Sequence, residues 1–279
     1  MSMSANKFEE HIHIDESISV IDALSAKIEL SKQQLKNVMQ KGAVWLKHNE
    51  YTQRVRRAKK ICQSGDVLYC YYDEKILNEV PEAAQLIVDE EAYSIWFKPY
   101  GMYSQGSKWG DHCTIYRWAE QNLQPQRSAY IVHRLDRAAS GLIILAHKKK
   151  VAAQFAELFQ QHKIHKHYRV WVDGIFPQQE TICELSLDNK AAKSYFKRLE
   201  IDKENNCSLL DVSIETGRKH QIRRHLSSMG YAVVGDRLYG IENHKINLRL
   251  LAYSIEFYCP LSGHVKKYCL DNILFEVGK

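Results

Sequence analysis

The sequence predicts an α+β protein with a small N-terminal module and a larger second domain. Three observations support this prediction: the chain has 279 residues, segments with helical spacing alternate with short β-rich segments, and positive charge is concentrated near the N-terminus. A chain of this length with 45% hydrophobic residues can bury one large core and a smaller one. The predicted boundaries are 12–75 for the module, 76–87 for an acidic linker and 88–279 for the second domain.

Local signals order the elements of the N-terminal module. Ser31 is a candidate N-cap, and Gly42 stands where a C-terminal cap is expected. Between them, Leu35, Val38 and Met39 share one face of a helix. The run AVWL predicts a strand after this helix, VLYCYY predicts a second strand after an SGD turn, and SVIDALSAK predicts an earlier helix.

The positive charge lies within this module. Residues 30–75 contain ten Lys and Arg against four acidic residues, and this local excess equals the net charge of the whole chain, +6. A localised positive surface favours a polyanionic partner, most simply nucleic acid. An ordinary solvated face is the alternative interpretation.

Composition also predicts the compartment and the absence of some ligands. No apolar run reaches the roughly 18–20 residues of a membrane span, and the N-terminus lacks a signal-peptide pattern. The seven cysteines are scattered without a C-x-x-C pair, which is typical of reduced thiols in the cytoplasm. The histidines of HKIHKH and HQIRRH lack carboxylate or cysteine partners at metal-ligand spacing, so no metal site is expected. Without heptads or a large apolar stripe, we expect a monomer.

The second domain alternates strands and helices. YSIWF predicts a strand that ends at a KPYG turn, a polar loop follows, and IYRWAEQNL has helical spacing. SGLIILA predicts a buried strand, KVAAQFAELFQQH an amphipathic helix, and LRLLAYSIEFYC a late strand before a proline turn.

One charged tetrapeptide directly precedes the buried strand. In VHRLDRAASGLIILA, Asp136 follows Arg134 at the entrance to an apolar run. A carboxylate taken into such a position is costly unless it is paired, so it is either a structural ion pair or a reactive group. Three later segments bear on this choice: KHYRVWVDG, TGRKHQIRRH and GDRLYG.

Together these four blocks, in this order, resemble the RluA family of RNA pseudouridine synthases over roughly residues 88–275. The N-terminal module is similar to the S4-like RNA-binding module, although WLKHNEYT stands where a Val-Asn-Gly turn is usual. Two further departures are Ala139, where the family usually has Thr, and the loop KPYGMYSQGS.

The resemblance implies a mixed, mostly antiparallel, bent sheet with a central basic cleft. It implies site-specific isomerisation of uridine to pseudouridine in structured RNA, which needs no cofactor because no atom is gained or lost. Asp136 matches the catalytic position. Tyr168 would stack on the target base and could relay a proton, Arg218 would pair with Asp136, and Arg134 would help to open the RNA.

Further residues are expected to contact RNA or shape the site. They are His133, Lys166, Arg169, His220, Gln221 and Arg223, and Lys148, Lys149 and Lys150 add phosphate contacts. Ribosomal RNA is favoured over transfer RNA because of the N-terminal module. Two alternatives remain open: a catalytically silent RNA-binding protein or chaperone on the same fold, and a glycosylase that would release uracil.

Overall fold

The computed structural model describes residues 6–240 and 246–270, which form two compact units. The first contains the described residues up to Pro81 together with 105–118, and the second contains 82–104 and the described residues from 119 onward. The chain therefore divides within the predicted linker. The prediction of a contiguous second domain from residue 88 differs from the structure, because 105–118 belongs to the first unit.

The first unit is a four-stranded antiparallel sheet packed on short helices. The elements are β1 (Lys7–His13), β2 (Ile18–Ser19), α1 (Val20–Ser25), α2 (Lys32–Gln40), β3 (Val44–His48), β4 (Tyr51–Arg54), β5 (Ile61–Cys62), β6 (Val67–Asp73) and α3 (Glu74–Leu77). The sheet order is β1-β6-β3-β4, and β2 pairs separately with β5.

The predicted helix of this unit is confirmed in detail. Ser31 caps α2 in a capping box with Gln34, in which each side chain satisfies the backbone N–H of the other residue. Leu35, Val38 and Met39 are buried in the core of the unit. Strands β1 and β4 were not predicted, because their alternating polar residues carry a weak apolar signal.

A buried carboxylate explains why 105–118 joins the first unit. Asp111 is 3% exposed, and its Oδ2 accepts from Arg56 Nη2 at 2.5 Å and from the Tyr116 hydroxyl at 2.7 Å. Arg54 Nε lies 3.4 Å from the same oxygen. Since an unpaired buried carboxylate is strongly destabilising, these partners attach the segment to the module.

The second unit is built on a ten-stranded sheet, mostly antiparallel. Its strands and helices are β7 (Gln85–Asp89), β8 (Tyr93–Lys98), α4 (Ile115–Asn122, which begins in the first unit), β9 (Tyr130–Ile131), β10 (Ser140–Ala146), α5 (Lys149–Gln160), β11 (Ile164–Asp173), β12 (Thr181–Cys183), β13 (Ser194–Asp202), β14 (Cys207–Ile214), α6 (Gln221–Ser228), β15 (Leu250–Tyr258) and β16 (Val265–Cys269). The main strand order is β12-β13-β14-β11-β15-β10-β8-β7, with β16 beside β15 and β9 beside β10. The predicted α+β class and mostly antiparallel sheet are confirmed.

One parallel contact interrupts the antiparallel pattern. Strands β10 and β15 run parallel and pair at Ser140–Leu251 and Gly141–Ala252. Gly141 has φ +119°, and a Cβ there would lie 2.3 Å from the Ala252 carbonyl oxygen. Only glycine therefore allows the two backbones to approach so closely at the start of β10.

No helix among residues 6–240 and 246–270 is long and apolar enough to cross a membrane. All seven cysteines, each within the described residues, carry free thiols.

Candidate active site

Asp136 lies in the turn that leads into β10. The turn is closed by the Ala139 amide, which donates to the Asp136 carbonyl at 3.1 Å. Ser104 fixes the preceding residue, because its Oγ accepts from the Leu135 amide at 3.0 Å and donates to the Leu135 carbonyl at 2.7 Å. The backbone around Asp136 is thus held on both sides, while its side chain remains 24% exposed.

Strand register brings Tyr168 to this turn. Tyr168 of β11 is paired with Ala252 of β15. Ala252 is in turn paired with Gly141 of β10, and Gly141 is paired on its other side with Lys98 of β8. These four residues form one row across four adjacent strands, and the close approach at Gly141 shortens it. Tyr168 is 8% exposed, and burial together with the negative charge of Asp136 raises the pKa of its hydroxyl, so the phenol stays protonated at neutral pH.

Lys98 lies at the other end of this row and is fully buried. Its Nζ donates to the carbonyls of Met102 at 2.8 Å, Pro99 at 3.0 Å and Arg137 at 3.4 Å. Burial, partly offset by the Asp136 carboxylate, lowers the pKa of Lys98 to about 7. Lys98 ties the KPYG turn to the residue after Asp136, a role that the sequence analysis missed; the turn motif was its only signal.

Arg223, and not Arg218, is the cation paired with Asp136. Arg223 Nη1 donates to Asp136 Oδ2 at 3.1 Å, while Nε and Nη2 donate to Asp236 at 2.7 Å each. The Arg223 and Asp236 side chains are 4% and 0% exposed. Burial opposes the charge of the guanidinium, but the two carboxylates raise the pKa of Arg223 above its ordinary value.

The expected pairing of Arg218 with Asp136 is therefore wrong. Arg218 precedes α6, and its Nε donates to the Ala191 carbonyl at 3.0 Å. The expected phosphate contact of Arg223 is also wrong, because its side chain is only 4% exposed and lies between the Asp136 and Asp236 carboxylates. Arg223 lies in the first turn of α6, which points it back toward Asp136, whereas Arg218 stabilises the loop before the helix.

His220 and Gln221 organise the start of α6. His220 has φ +55°; its Nδ1 is 3.0 Å from the Tyr239 hydroxyl and its Nε2 is 3.8 Å from Asp136 Oδ1. Burial lowers the pKa of His220, an effect that Asp136 opposes. Gln221 is buried; its Oε1 accepts from Thr216 and from the Arg218 amide, and its Nε2 donates to the Lys193 carbonyl and to Ser194. The expected base contact of Gln221 is wrong, because these bonds occupy its amide.

The remaining predicted residues are spread around the site. His133 Nε2 accepts from the Ile144 amide at 2.9 Å and its ring stacks on Phe159, so these contacts hold the segment before Asp136 against β10 and α5. Burial lowers the pKa of Lys166 to about 8. Arg169 pairs with Asp211 at 3.0 Å, and Arg134 is exposed beside the turn.

Comparison with known proteins identifies the family of this chain. A family model described as RNA pseudouridylate synthase matches residues 92–228. The dual-specificity RNA pseudouridine synthase RluA of Vibrio parahaemolyticus is 31% identical over 186 residues, covering 59% of this chain and 74% of that protein. An uncharacterized RNA pseudouridine synthase of Synechocystis is 32% identical, covering 67% and 69%.

The chain belongs to the RluA family of RNA pseudouridine synthases. The human RNA pseudouridylate synthase domain containing 4 has the same fold, with a TM-score of 0.55 at 18% identity, covering 66% of this chain and 87% of that structure. As a member of the family, the present chain is an isomerase that converts uridine to pseudouridine in RNA. Among residues 6–240 and 246–270, no group of three His, Cys, Asp or Glu side chains is arranged to hold a metal ion.

Proposed function

We propose that Asp136 is the catalytic carboxylate of this synthase and acts on a uridine turned out of its RNA. The contrast between the two carboxylates on Arg223 carries this proposal. Asp236 is closed in, with both oxygens engaged by the guanidinium. Asp136 gives Oδ2 to Arg223 and remains partly exposed. Within residues 6–240 and 246–270, its Oδ1 accepts no hydrogen bond, and His220 Nε2 lies 3.8 Å from it.

Two reaction routes suit this carboxylate. Asp136 adds to the ribose C1′ as the bond to N1 breaks, or it removes a ribose proton and leaves a glycal-like intermediate. In both routes the detached uracil turns and bonds to C1′ through C5. In the first route the bond between Asp136 and C1′ breaks as this bond forms, and in the second Asp136 returns the ribose proton. The proton on C5 is then lost and N1 gains one, so no atom is gained or lost overall. Arg223 balances the charge of Asp136 at rest and holds its carboxylate in place.

Tyr168 and Arg134 are proposed to serve the flipped base. The Tyr168 ring offers a surface on which uracil can stack, and its hydroxyl could relay the proton that leaves C5. Turning a nucleotide out of a helix costs a few kcal/mol, so the vacated space must be filled. Arg134 is exposed two residues before Asp136, which suits that role.

RNA binding is proposed to depend on phosphate contacts and on the N-terminal unit as an S4-like module. Lys148, Lys149 and Lys150 are exposed at the start of α5, whereas Arg169 is already paired with Asp211. Affinity should therefore fall steeply as salt rises, and a flat response would contradict the phosphate contacts. Ribosomal RNA is the proposed target, with transfer RNA as the alternative, and we propose a cytoplasmic monomer.

Asp136→Asn tests the catalytic assignment. The variant is nearly isosteric and should bind RNA as before but release no tritium from RNA labelled at C5 of uridine. The matched control is Asp211→Asn, which alters a paired aspartate elsewhere on the same sheet and should keep its activity. Unchanged release by Asp136→Asn would overturn the assignment.

Two further measurements address the alternatives. Absence of tritium release by the wild-type protein on total RNA would favour the catalytically silent RNA-binding protein, and free uracil would indicate a glycosylase. Mapping pseudouridines in total RNA from a strain that lacks this protein would identify the target, and a missing site in transfer RNA would refute the ribosomal preference.

A further inference from the structure

A cluster of aromatic rings lies on one face of the four-stranded sheet of the first unit. Strand alternation puts Leu68 and Cys70 in the core and turns Tyr69 and Tyr71 to the opposite face. The two tyrosine rings are parallel within 2°, with centroids 6.3 Å apart. Since the core of the unit uses only one face of this sheet, the rings on the second face are not needed for its packing.

Neighbouring strands and the 105–118 segment extend this cluster. Trp45 of β3 is in register with Tyr69, His11 of β1 contacts Tyr69 edge-on at 4.8 Å, and Trp109 contacts Tyr71 edge-on at 5.7 Å. We call these five residues the aromatic face. All five are at least partly exposed.

Cations surround the aromatic face. Lys108 Nζ lies 4.6 Å from the Tyr71 ring centre, Lys7 Nζ lies 4.4 Å from that of Trp109, and the Arg54 guanidinium lies 4.1 Å from that of Trp45. Lys47 is exposed two residues after Trp45 on the same side of β3. Lys108 pairs with Glu9, Lys7 with Asp73 and Arg54 with Asp111, so three of the four charges are partly balanced.

We infer that the aromatic face binds unpaired bases of the RNA substrate, with the surrounding cations on its phosphates. Aromatic rings bordered by basic side chains suit single-stranded nucleic acid, because every base can stack and every linkage carries a negative charge. An exposed cation–π contact is weaker than a base stacked on an aromatic ring, so a base can displace Lys108, whose ammonium then reaches a phosphate. The inference depends on the protein acting on RNA and is independent of Asp136.

Binding of a uridine-free RNA strand tests this inference on the full-length protein. A single strand of about 12 adenosines and cytidines fits a stacking surface and cannot be isomerised. Replacing both Tyr69 and Tyr71 by valine keeps the β propensity and removes the rings, and should weaken binding by roughly 5- to 100-fold. The matched control is Tyr51→Val in β4, which removes a tyrosine that is 80% exposed and points to the other side of the same sheet, and should change nothing.

Phenylalanine at both positions should restore full affinity, because stacking needs the ring and not the hydroxyl. Circular dichroism checks that each variant is folded. Full affinity of a folded valine variant, or an equal loss in Tyr51→Val, would overturn the inference and leave the face to another kind of partner.

Ultraviolet crosslinking of the wild-type protein decides the question even if the valine variant does not fold. Adducts should map to Tyr69, Tyr71, Trp45 or Trp109, and adducts confined to the second unit would overturn the inference. Asp136→Asn should give the same adducts as the wild-type protein, so this result is separate from that of the catalytic assignment.

Discussion

Replacing Arg223 by methionine should damage both the fold and the reaction, and the two effects can be separated. Methionine fills similar space but leaves the Asp236 carboxylate, whose side chain is 0% exposed, without its cation. Removing one partner of a buried pair costs about 3–5 kcal/mol. The variant should therefore unfold at a clearly lower urea concentration.

A second substitution, Asp236→Asn, should restore most of the stability of Arg223→Met. The amide that replaces the carboxylate carries no charge, and its oxygen can still accept from the Leu238 and Tyr239 amides, which lie 2.9 and 3.1 Å from Asp236 Oδ1 in the wild-type protein. Activity should not return, because Asp136 still lacks the hydrogen bond from Arg223. A hydrogen bond to a charged group contributes about 1.5–3 kcal/mol, which corresponds to a roughly 10- to 100-fold lower kcat.

Urea unfolding and tritium release at saturating RNA measure the two effects. Arg218→Met is the matched control, because it removes the side-chain hydrogen bond to the Ala191 carbonyl. It should lower the free energy of unfolding by about 1 kcal/mol and leave kcat close to that of the wild-type protein. Recovery of activity in the double variant would refute the role of Arg223 at Asp136. So would a loss in Arg218→Met as large as that in Arg223→Met.

Three other predictions depend on individual contacts. Gly141→Ala places a Cβ 2.3 Å from a backbone oxygen and should lower the free energy of unfolding in urea by at least about 3 kcal/mol. The control Gly65→Ala, whose Cβ meets nothing within 4 Å, should lower it by about 1 kcal/mol. Equal losses would contradict the close approach at Gly141. Burial lowers the pKa of His133 to about 3, so below pH 6.5 the unfolded chain binds a proton that the folded chain excludes. The free energy of unfolding should thus fall by about 2 kcal/mol between pH 6.5 and about pH 5. His133→Gln should remove this part of the pH dependence. If the variant and the wild-type protein have the same pH profile of stability, His133 is protonated freely in the folded protein. Tyr168→Phe keeps the ring and loses the protonated hydroxyl, so it should bind RNA normally but lower kcat roughly 100-fold in the tritium-release assay. A normal kcat would exclude the proton relay.

Local signals in the sequence were sufficient for several elements. The Ser31 cap and the apolar face of α2 depend on contacts within a few residues, so propensity and spacing predict them. The apolar run before Ala146 likewise predicted β10, which is buried on both faces. The motif around Asp136 could be linked to Tyr168 only through the family resemblance, since 32 residues separate them along the chain.

The partner of Asp136 could be decided only by the tertiary structure. Arg218 and Arg223 lie in the same motif, five residues apart, and no local rule says which one faces a carboxylate more than 80 residues earlier. That choice depends on the left-handed residue His220, which starts α6 after Arg218 and directs Arg223 inward. The link from Lys98 to the segment after Asp136 could not be predicted for the same reason. Its Pro99 and Met102 partners are local, but the Arg137 carbonyl comes within reach only when β8 lies beside β10.

The sequence by itself determined the chemistry available to this protein: the family, the reaction and the motif that carries its aspartate. The tertiary structure decided which cation balances that aspartate, and it placed five aromatic rings together on one face of the first unit. Sequence spacing specifies contacts within a strand or a helix turn, whereas these arrangements depend on register between strands and on side chains that meet from distant segments.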